Sequence, residues 1–250
     1  GRIEVAASES VLADHSLLRV DGSGAGNAGT IHITSPEVTF QNGPGLFHDF
    51  RDPTDPRNQS RRVEVGASAV ATGSGRGGRI EIKAEKSLTL QKGASMSAGS
   101  FGIYPSAATG DGGSIPIEAG SLEVLDRSNL TAGAFRSEGN AGTVAIDVDN
   151  LRLDGAPQEG TPRDPTAADY AFIDASKYFN VGPSERLVPG ALGRIDIEAG
   201  VVEVLNNGVL DSDCGSCMAK RNPGDPPNLS IKADRFVVGE GGAVRVGTNP

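Results

Sequence analysis

The chain contains no tryptophan, and aromatic residues fill only 4% of its 250 positions. Large rings supply much of the bulk in a thick globular core, so their scarcity argues against one. Positive charge is also short: 23 Lys and Arg face 32 Asp and Glu, for a net charge of −9. Phosphate binding requires a basic stripe that displaces counterions, and the densest basic pair, Arg61 and Arg62, only flanks a Pro/Asp-rich stretch. Nucleic acid is therefore not an expected partner. No apolar run approaches the roughly 20 residues that cross a bilayer, so no membrane span is expected. No signal peptide opens the chain, which places any export signal on a longer parent. Cysteine is limited to Cys214 and Cys217, a C-x-x-C in the turn-rich stretch Asp213–Met218. Zinc would want a second pair or two nearby histidines, and a redox motif would want a strand–turn–helix setting. A local disulfide in an oxidising compartment is preferred over a free pair.

What is abundant is glycine, with 35 residues, together with regularly recurring Ile, Val and Leu. Gly-Arg-Ile-Glu-Val opens the chain at residue 1, Gly-Arg-Ile-Glu-Ile follows from Gly78, and Gly-Arg-Ile-Asp-Ile from Gly193. Weaker copies begin at Gly29, Gly113, Gly142 and Asn228. Their first apolar positions, Ile3, Ile31, Ile80, Ile115, Val144, Ile195 and Leu229, are spaced by 28, 49, 35, 29, 51 and 34 residues. A unit of about 30 residues with insertions accounts for these gaps. Within each unit a second alternating apolar pair follows, such as Leu88/Leu90 or Val202/Val204, and then a third, such as Met96/Ala98 or Leu130/Ala132. Period-two alternation marks strands, and three strands separated by turns describe one triangular coil.

A lone coil cannot bury its apolar side, so coils must stack with parallel strands. The expected fold is all-β: a right-handed parallel β-helix of about seven three-stranded coils. It is expected to form one segment over residues 1–250, truncated from a longer rod, because both ends stop in mid-pattern. Stacking places Glu123, Arg152 and Glu203 in one outward row of alternating charge. Pro116, between two inward isoleucines, should bulge its strand or cost a ladder hydrogen bond. Insertions fall near residues 43–62, 101–111, 155–170, 177–192 and 213–227, always away from the corner between the first and second strands. These segments hold Phe47, Phe50, Phe101, Tyr104, Tyr170, Tyr178 and Phe179. Such aromatics can form a ligand surface on a repeat scaffold or fold back to cover the rod.

The G-x-I-x-I-x-A opening of Gly78–Ala84, Gly113–Ala119 and Gly193–Ala199, followed by L-x-L and the Gly-Ala-Ser turn at Gly93–Ser95, resembles the repeat region of filamentous-haemagglutinin-like exoproteins. The resemblance implies a β-helical adhesin of Gram-negative cells, exported by two-partner secretion, with an outer-membrane transporter serving the parent protein. It also implies a secreted, cell-surface location.

Two outward rows carry chemistry worth weighing. On the third strand the row runs Ser97, Thr131, Asp174, Asp211, Arg245, which sets two aspartates in adjacent coils with Asp213 close by. Carboxyls about 5 Å apart suit glycoside cleavage, whereas Arg245 beside Asp211 suits a surface ion pair. On the first strand Glu118, Asp147 and Glu198 form a like-charge row that needs a cation or flanking lysines, here Lys83 and Lys232, for relief. The lysines are the simpler source, and no metal is assigned. His15, His32 and His48 fall far apart in the repeat, and Gly73–Gly78 lacks the Lys-Ser/Thr ending of a phosphate loop. No cofactor is expected. The chain is thus expected to be a structural or adhesive segment that contacts host glycans or proteins, not an enzyme. A polysaccharide-cleaving enzyme using Asp174, Asp211 and Asp213, or a mechanical spacer, are the alternatives.

Overall fold

The computed structural model describes residues 1–41, 65–102, 107–156, 170–178, 190–214 and 228–248. Every helix or strand among them is a strand. The strands pair in parallel, each with its counterpart one repeat away, as a β-helix requires. Seven coils stack, and the right-handed sense is the one that parallel crossovers adopt almost without exception.

The first and second faces are regular. Arg2–Ala6 pairs with the start of Thr30–Gln41, after which come Arg79–Gln91, Ser114–Leu125, Thr143–Asp154, Arg194–Leu205 and Asn228–Val238. Six of these seven strands run unbroken across both faces; only the first coil splits them, into Arg2–Ala6 and Ser10–Asp14. The bend between the faces is polar and short. The third coil carries one extra residue there, 13 against 12 in its neighbours, and the ladder register shifts at Ser35/Glu37 and at Ala119/Ser121 to absorb it. Pro36 sits in the first of these shifts, where no ladder bond is asked of it.

The third face is built from shorter strands: Leu17–Arg19, Gly66–Ser68, Ser95–Ser97, Asn129–Thr131, Ala171–Asp174, Gly208–Cys214 and Ala243–Thr248. To the three expected strands the structure adds a fourth in the first five coils: Gly22–Gly24, Ala71–Gly73, Ser100–Phe101, Ala134–Phe135 and Lys177–Tyr178. Two or three residues are too few for alternation to register in a sequence.

Tight turns join the second face to the third by placing two successive residues in the left-handed region, Asp126–Arg127 at φ 45° and 62° and Asn206–Asn207 at 42° and 66°. In the second and fifth coils this corner is instead replaced by longer segments, whose residues 42–64 and 157–169 lie outside the described residues. The remaining insertions follow the fourth strand or its equivalent. None interrupts the corner between the first and second faces.

The interior is a column of stacked apolar pairs. Ile31/Ile33, Ile80/Ile82, Ile115/Ile117, Val144/Ile146 and Ile195/Ile197 line the first face and are fully or almost fully buried. Each such side chain contributes roughly 1.5–3 kcal/mol. Pro116 costs pairing without forming a bulge. Toward Arg79–Gln91 the ladder skips Ile115 and Pro116 and resumes at Ile117↔Ile82 in the same offset, whereas toward Thr143–Asp154 it runs through Pro116↔Ala145 without a gap from Ser114 to Ala119.

Before the first strand of the second to sixth coils a Gly-x-x-Gly corner brings successive backbones together. A Cβ on Gly110 would overlap the carbonyl oxygen of Gly75 one coil below, so only glycine fits. Between these glycines, side-chain amides and carboxylates staple coil to coil. Asn27 Oδ1 accepts the Arg76 N–H at 2.9 Å, Asp111 Oδ1 that of Asn140 at 2.9 Å, and Asn140 Oδ1 that of Ala191 at 2.7 Å.

Candidate functional site

The third and fourth faces concentrate the unusual chemistry. Ser68, Ser100, Asn129, Thr131, Asp174, Ser176 and Lys177 are all buried there. Buried polar groups demand partners, and the structure supplies several of them across coils: Ser95 Oγ donates to Asn129 Oδ1 at 2.8 Å, and Ser137 Oγ to the Gly110 carbonyl at 2.8 Å.

Asp174 and Asp211 are direct ladder partners, flanked by Thr131 and Arg245 as the row predicts. The expected outward, accessible setting does not hold for Asp174, which is only 6% exposed. Its Oδ1 accepts the Ser176 N–H at 2.8 Å, which fixes the turn after its strand. Ser176 Oγ donates to Asp211 Oδ1 at 3.4 Å, and Asp211 Oδ2 lies 3.9 Å from Arg245 Nη1. The pair is thus woven into a network spanning the fifth to seventh coils. Glycoside cleavage asks instead for one carboxyl kept protonated and both facing a sugar. Asp213 continues the same strand, its backbone paired with Gly247.

The loop aromatics separate into groups. Phe47, Phe50, Tyr104 and Phe179 lie outside the described residues. Tyr170 is 44% exposed beside the start of Ala171–Asp174. Phe101 and Tyr178, expected in insertions, belong to the fourth strands, where Phe101 pairs with Phe135 and Phe135 with Tyr178. The Phe101 and Phe135 rings stack at 4.8 Å and 23°. Glycine makes room for them: a Cβ on Gly99 would fall 2.5 Å from the Phe101 ring, and one on Gly133 2.8 Å from that of Phe135. Phe135 was not legible as a candidate, yet Ala98-Gly-Ser-Phe101, Ala132-Gly-Ala-Phe135 and Ala175-Ser-Lys-Tyr178 share one pattern that marks it. Each of these rings spends one face on the other, so the pair offers a ligand less platform than two separate rings would.

Lys177 occupies the inward position filled by Ala71, Ser100 and Ala134 in the coils below. It is fully buried, and its Nζ donates to the Gly139 carbonyl at 2.7 Å and lies 3.5 Å from that of Glu138. Burial pushes its pKa down to about 8, against the pull of the Asp111 and Glu138 carboxylates.

The carboxylate row Glu118, Asp147, Glu198 forms in the expected register. Lysines bind both ends, Lys83 to Glu118 at 3.1 Å and Lys232 to Glu198 at 2.5 Å. The hydrogen bond to Glu198 raises the Lys232 pKa. Among the described residues no group of His, Cys, Asp and Glu is arranged to hold a metal. The Glu123, Arg152, Glu203 row also forms, but Arg152 gives its hydrogen bond to Asp154 at 2.7 Å instead. Burial alone would raise the Asp154 pKa; the bonds from Arg152, the Ala156 N–H and the Asn206 amide hold it below its usual value.

His15 pairs with its neighbour Asp14 at 2.8 Å, His32 lies 3.6 Å from Glu81, and His48 is outside the described residues. A shallow groove of about 450 Å³ follows the Gly-x-x-Gly corner from Asn27 to Ser114. Its Gly77, Gly78 and Arg79 N–H groups are spent on the carbonyls of Asp111, Ala69 and Gly29, which leaves no nest for phosphate. Cys214 ends its strand opposite Lys177 and Thr248, and Cys217 lies outside the described residues. No helix among the described residues is long and apolar enough to cross a membrane. No family model matches the chain, and no curated protein or solved structure is significantly similar to it.

Proposed function

We propose that this chain is a structural and adhesive segment of a secreted bacterial surface exoprotein, presenting its insertions to host glycans or proteins. The observation that carries this reading is the placement of the insertions. Two faces run unbroken through the rod while the added chain gathers at the other corners, as expected of a scaffold with a contact side. The resemblance of the G-x-I-x-I-x-A repeats to filamentous-haemagglutinin-like exoproteins supports the same reading, with two-partner secretion through an outer-membrane transporter and a Gram-negative cell surface as its setting.

Retention of the chain on host cells and on glycan arrays tests it, comparing the natural sequence with a Tyr104→Ala/Tyr170→Ala variant. Loss of retention with an unchanged melting profile is the expected result. Equal retention would leave the rod a mechanical spacer. A second reading, polysaccharide cleavage, draws on the pairing of Asp174 with Asp211. Release of reducing ends from neutral and acidic polysaccharides, abolished by Asp174→Asn/Asp211→Asn, would establish it. The burial of Asp174 makes no release the expected outcome.

A further inference from the structure

From the second to the sixth coil the Gly-x-x-Gly corners are joined by a chain of side-chain staples, and that chain has one break. The backbone N–H of a corner residue is accepted by the side-chain oxygen of its counterpart one coil earlier: that of Arg76 by Asn27, of Asn140 by Asp111 and of Ala191 by Asn140. The missing step runs from Arg76 to Asp111. A guanidinium has no acceptor atom, so the Asp111 N–H is left without a hydrogen-bond partner among the described residues. A position that gives up a stabilising contact repeated by its neighbours marks a place shaped by something other than stability. Arg76 is 73% exposed, its Nε lies 3.6 Å from Asp111 Oδ2, and its side chain makes no hydrogen bond among the described residues. Arg79, across Gly77 and Gly78, spends only its Nε, on Glu81 at 3.2 Å. Of the second to sixth coils, only the third carries arginine at both the corner and the strand start.

Both arginines line the groove that runs up this corner across three coils. Its floor is glycine, which leaves backbone uncovered over about 10 Å, two steps of the coil spacing. Thr30 and Ser114, the ladder neighbours of Arg79, add hydroxyls to its lining. We infer that this groove binds a uronic-acid-containing glycan, with a sugar carboxylate held between the Arg76 guanidinium and the Asp111 N–H. The carboxylate takes the place that the oxygens of Asn27, Asp111 and Asn140 fill at the other three steps, so the gap in the staples fits an oxygen of that kind. The terminal nitrogens of Arg76 match its two oxygens as a fork. Asp111 and Glu81 are the competing carboxylates, and each is already engaged, Asp111 by the Asn140 N–H and Glu81 by Arg79. The site therefore suits one ligand charge at a time rather than a dense polyanion. A sugar ring lies flat on the glycine floor, with Thr30 and Ser114 in place for its hydroxyls. An extended acidic peptide fits worse, because the Gly77, Gly78 and Arg79 N–H groups are spent on carbonyls and offer its backbone no ladder. The inference rests on the adhesive reading, to which it adds a glycan class and a place on the rod.

Isothermal titration calorimetry of the full chain with hyaluronan oligosaccharides at low salt tests this, alongside carboxyl-reduced hyaluronan, dextran sulfate and polyglutamate. Hyaluronan is expected to bind, and to bind at least about tenfold more weakly once its carboxyls are reduced. Arg76→Asn restores the missing staple, so it is expected to cost at least about tenfold in affinity while the melting temperature holds or rises. That pairing separates loss of the site from loss of the fold. Arg79→Gln is expected to weaken binding less, and Arg194→Gln, at the strand start of the sixth coil, to leave it unchanged. No binding of hyaluronan, binding that survives carboxyl reduction or Arg76→Asn, or equal binding of dextran sulfate or polyglutamate would each overturn the inference. Retention on host cells is read separately. A chain retained there that ignores hyaluronan overturns this inference alone, whereas hyaluronan binding without retention counts against the insertions as the contact surface and supports the groove.

Discussion

The two sides of the rod solve the same stacking problem differently. Across the first and second faces, strands of 11 to 13 residues lie over one another with apolar pairs inside and charged residues outside. Ser35 is the one buried polar residue within their span short of the terminal Asp154. The third and fourth faces use strands of 2 to 7 residues and hold most of the buried Ser, Asn, Thr, Asp and Lys. Apolar rows are permissive, since Ile, Val and Leu can exchange with small losses. Buried polar groups are not, because each needs a partner at a set place. One side therefore supplies stability, and the other fixes the register of individual coils. Insertions at the second side interrupt short ladders and forfeit few pairs.

The comparison breaks most severely at the corner glycines. Gly110→Ala should cost at least about 4 kcal/mol, because its Cβ would overlap a backbone oxygen of the coil below, and backbone has nowhere to go. Urea unfolding reads this directly; a loss under about 1 kcal/mol would mean that the coils can part at that corner without harm. On the regular side the largest effect comes from a cavity. Ile82→Ala, at a fully buried site in the third coil, should lose about 2–5 kcal/mol. The same change at Ile231, only partly buried in the seventh coil, should lose clearly less. Equal losses would show that the ends are covered in solution.

The contrast also explains what could be anticipated from the sequence. Ile80/Ile82 and Leu88/Leu90 announce their strands because alternation over a dozen residues leaves little choice, and the columns they form follow at once. Registers such as Asp174↔Asp211 and Glu118↔Asp147 were legible for the same reason. Ser100–Phe101 is not, since two residues carry no period, and by pattern alone Phe101 falls in an insertion. Burial of Asp174 was equally hidden. Outward position in a strand says nothing of what else packs over that face, and the network through Ser176 is set by a turn geometry that only the folded backbone displays.

Lys177 gives an intermediate effect that reports on the polar side alone. Its folded pKa of about 8 lies below the value of roughly 10.4 expected in an unfolded chain. Between these values the unfolded chain binds more protons, so stability rises with pH across this window. Below it both states are charged and the fold bears the whole desolvation cost; above it neither is. The gain over the window amounts to about 3 kcal/mol at most. Lys177→Met should flatten this part of the profile and raise stability at pH 7, as measured by thermal unfolding against the natural chain. Parallel profiles for the two proteins would show that the ammonium is solvated in the folded state.

The smallest effect belongs to the regular side and decides between two explanations of its acid row. Asp147 stands between Glu118 and Glu198, whose lysine partners lie on their far sides, so the central charge faces a carboxylate in each neighbouring coil. Removing it in Asp147→Asn should stabilise the rod by about 0.5 kcal/mol, since opposed like charges at such exposed positions cost only fractions of a kcal/mol. The gain should shrink as salt rises and the remaining charges are screened. A bound cation would reverse the sign: the variant would then be less stable than the natural chain, and only in calcium. Melting temperatures of both proteins, with calcium and with chelator at low and high salt, separate the outcomes. Stabilisation that is independent of calcium and weakened by salt assigns the row to simple repulsion relieved at its ends by Lys83 and Lys232.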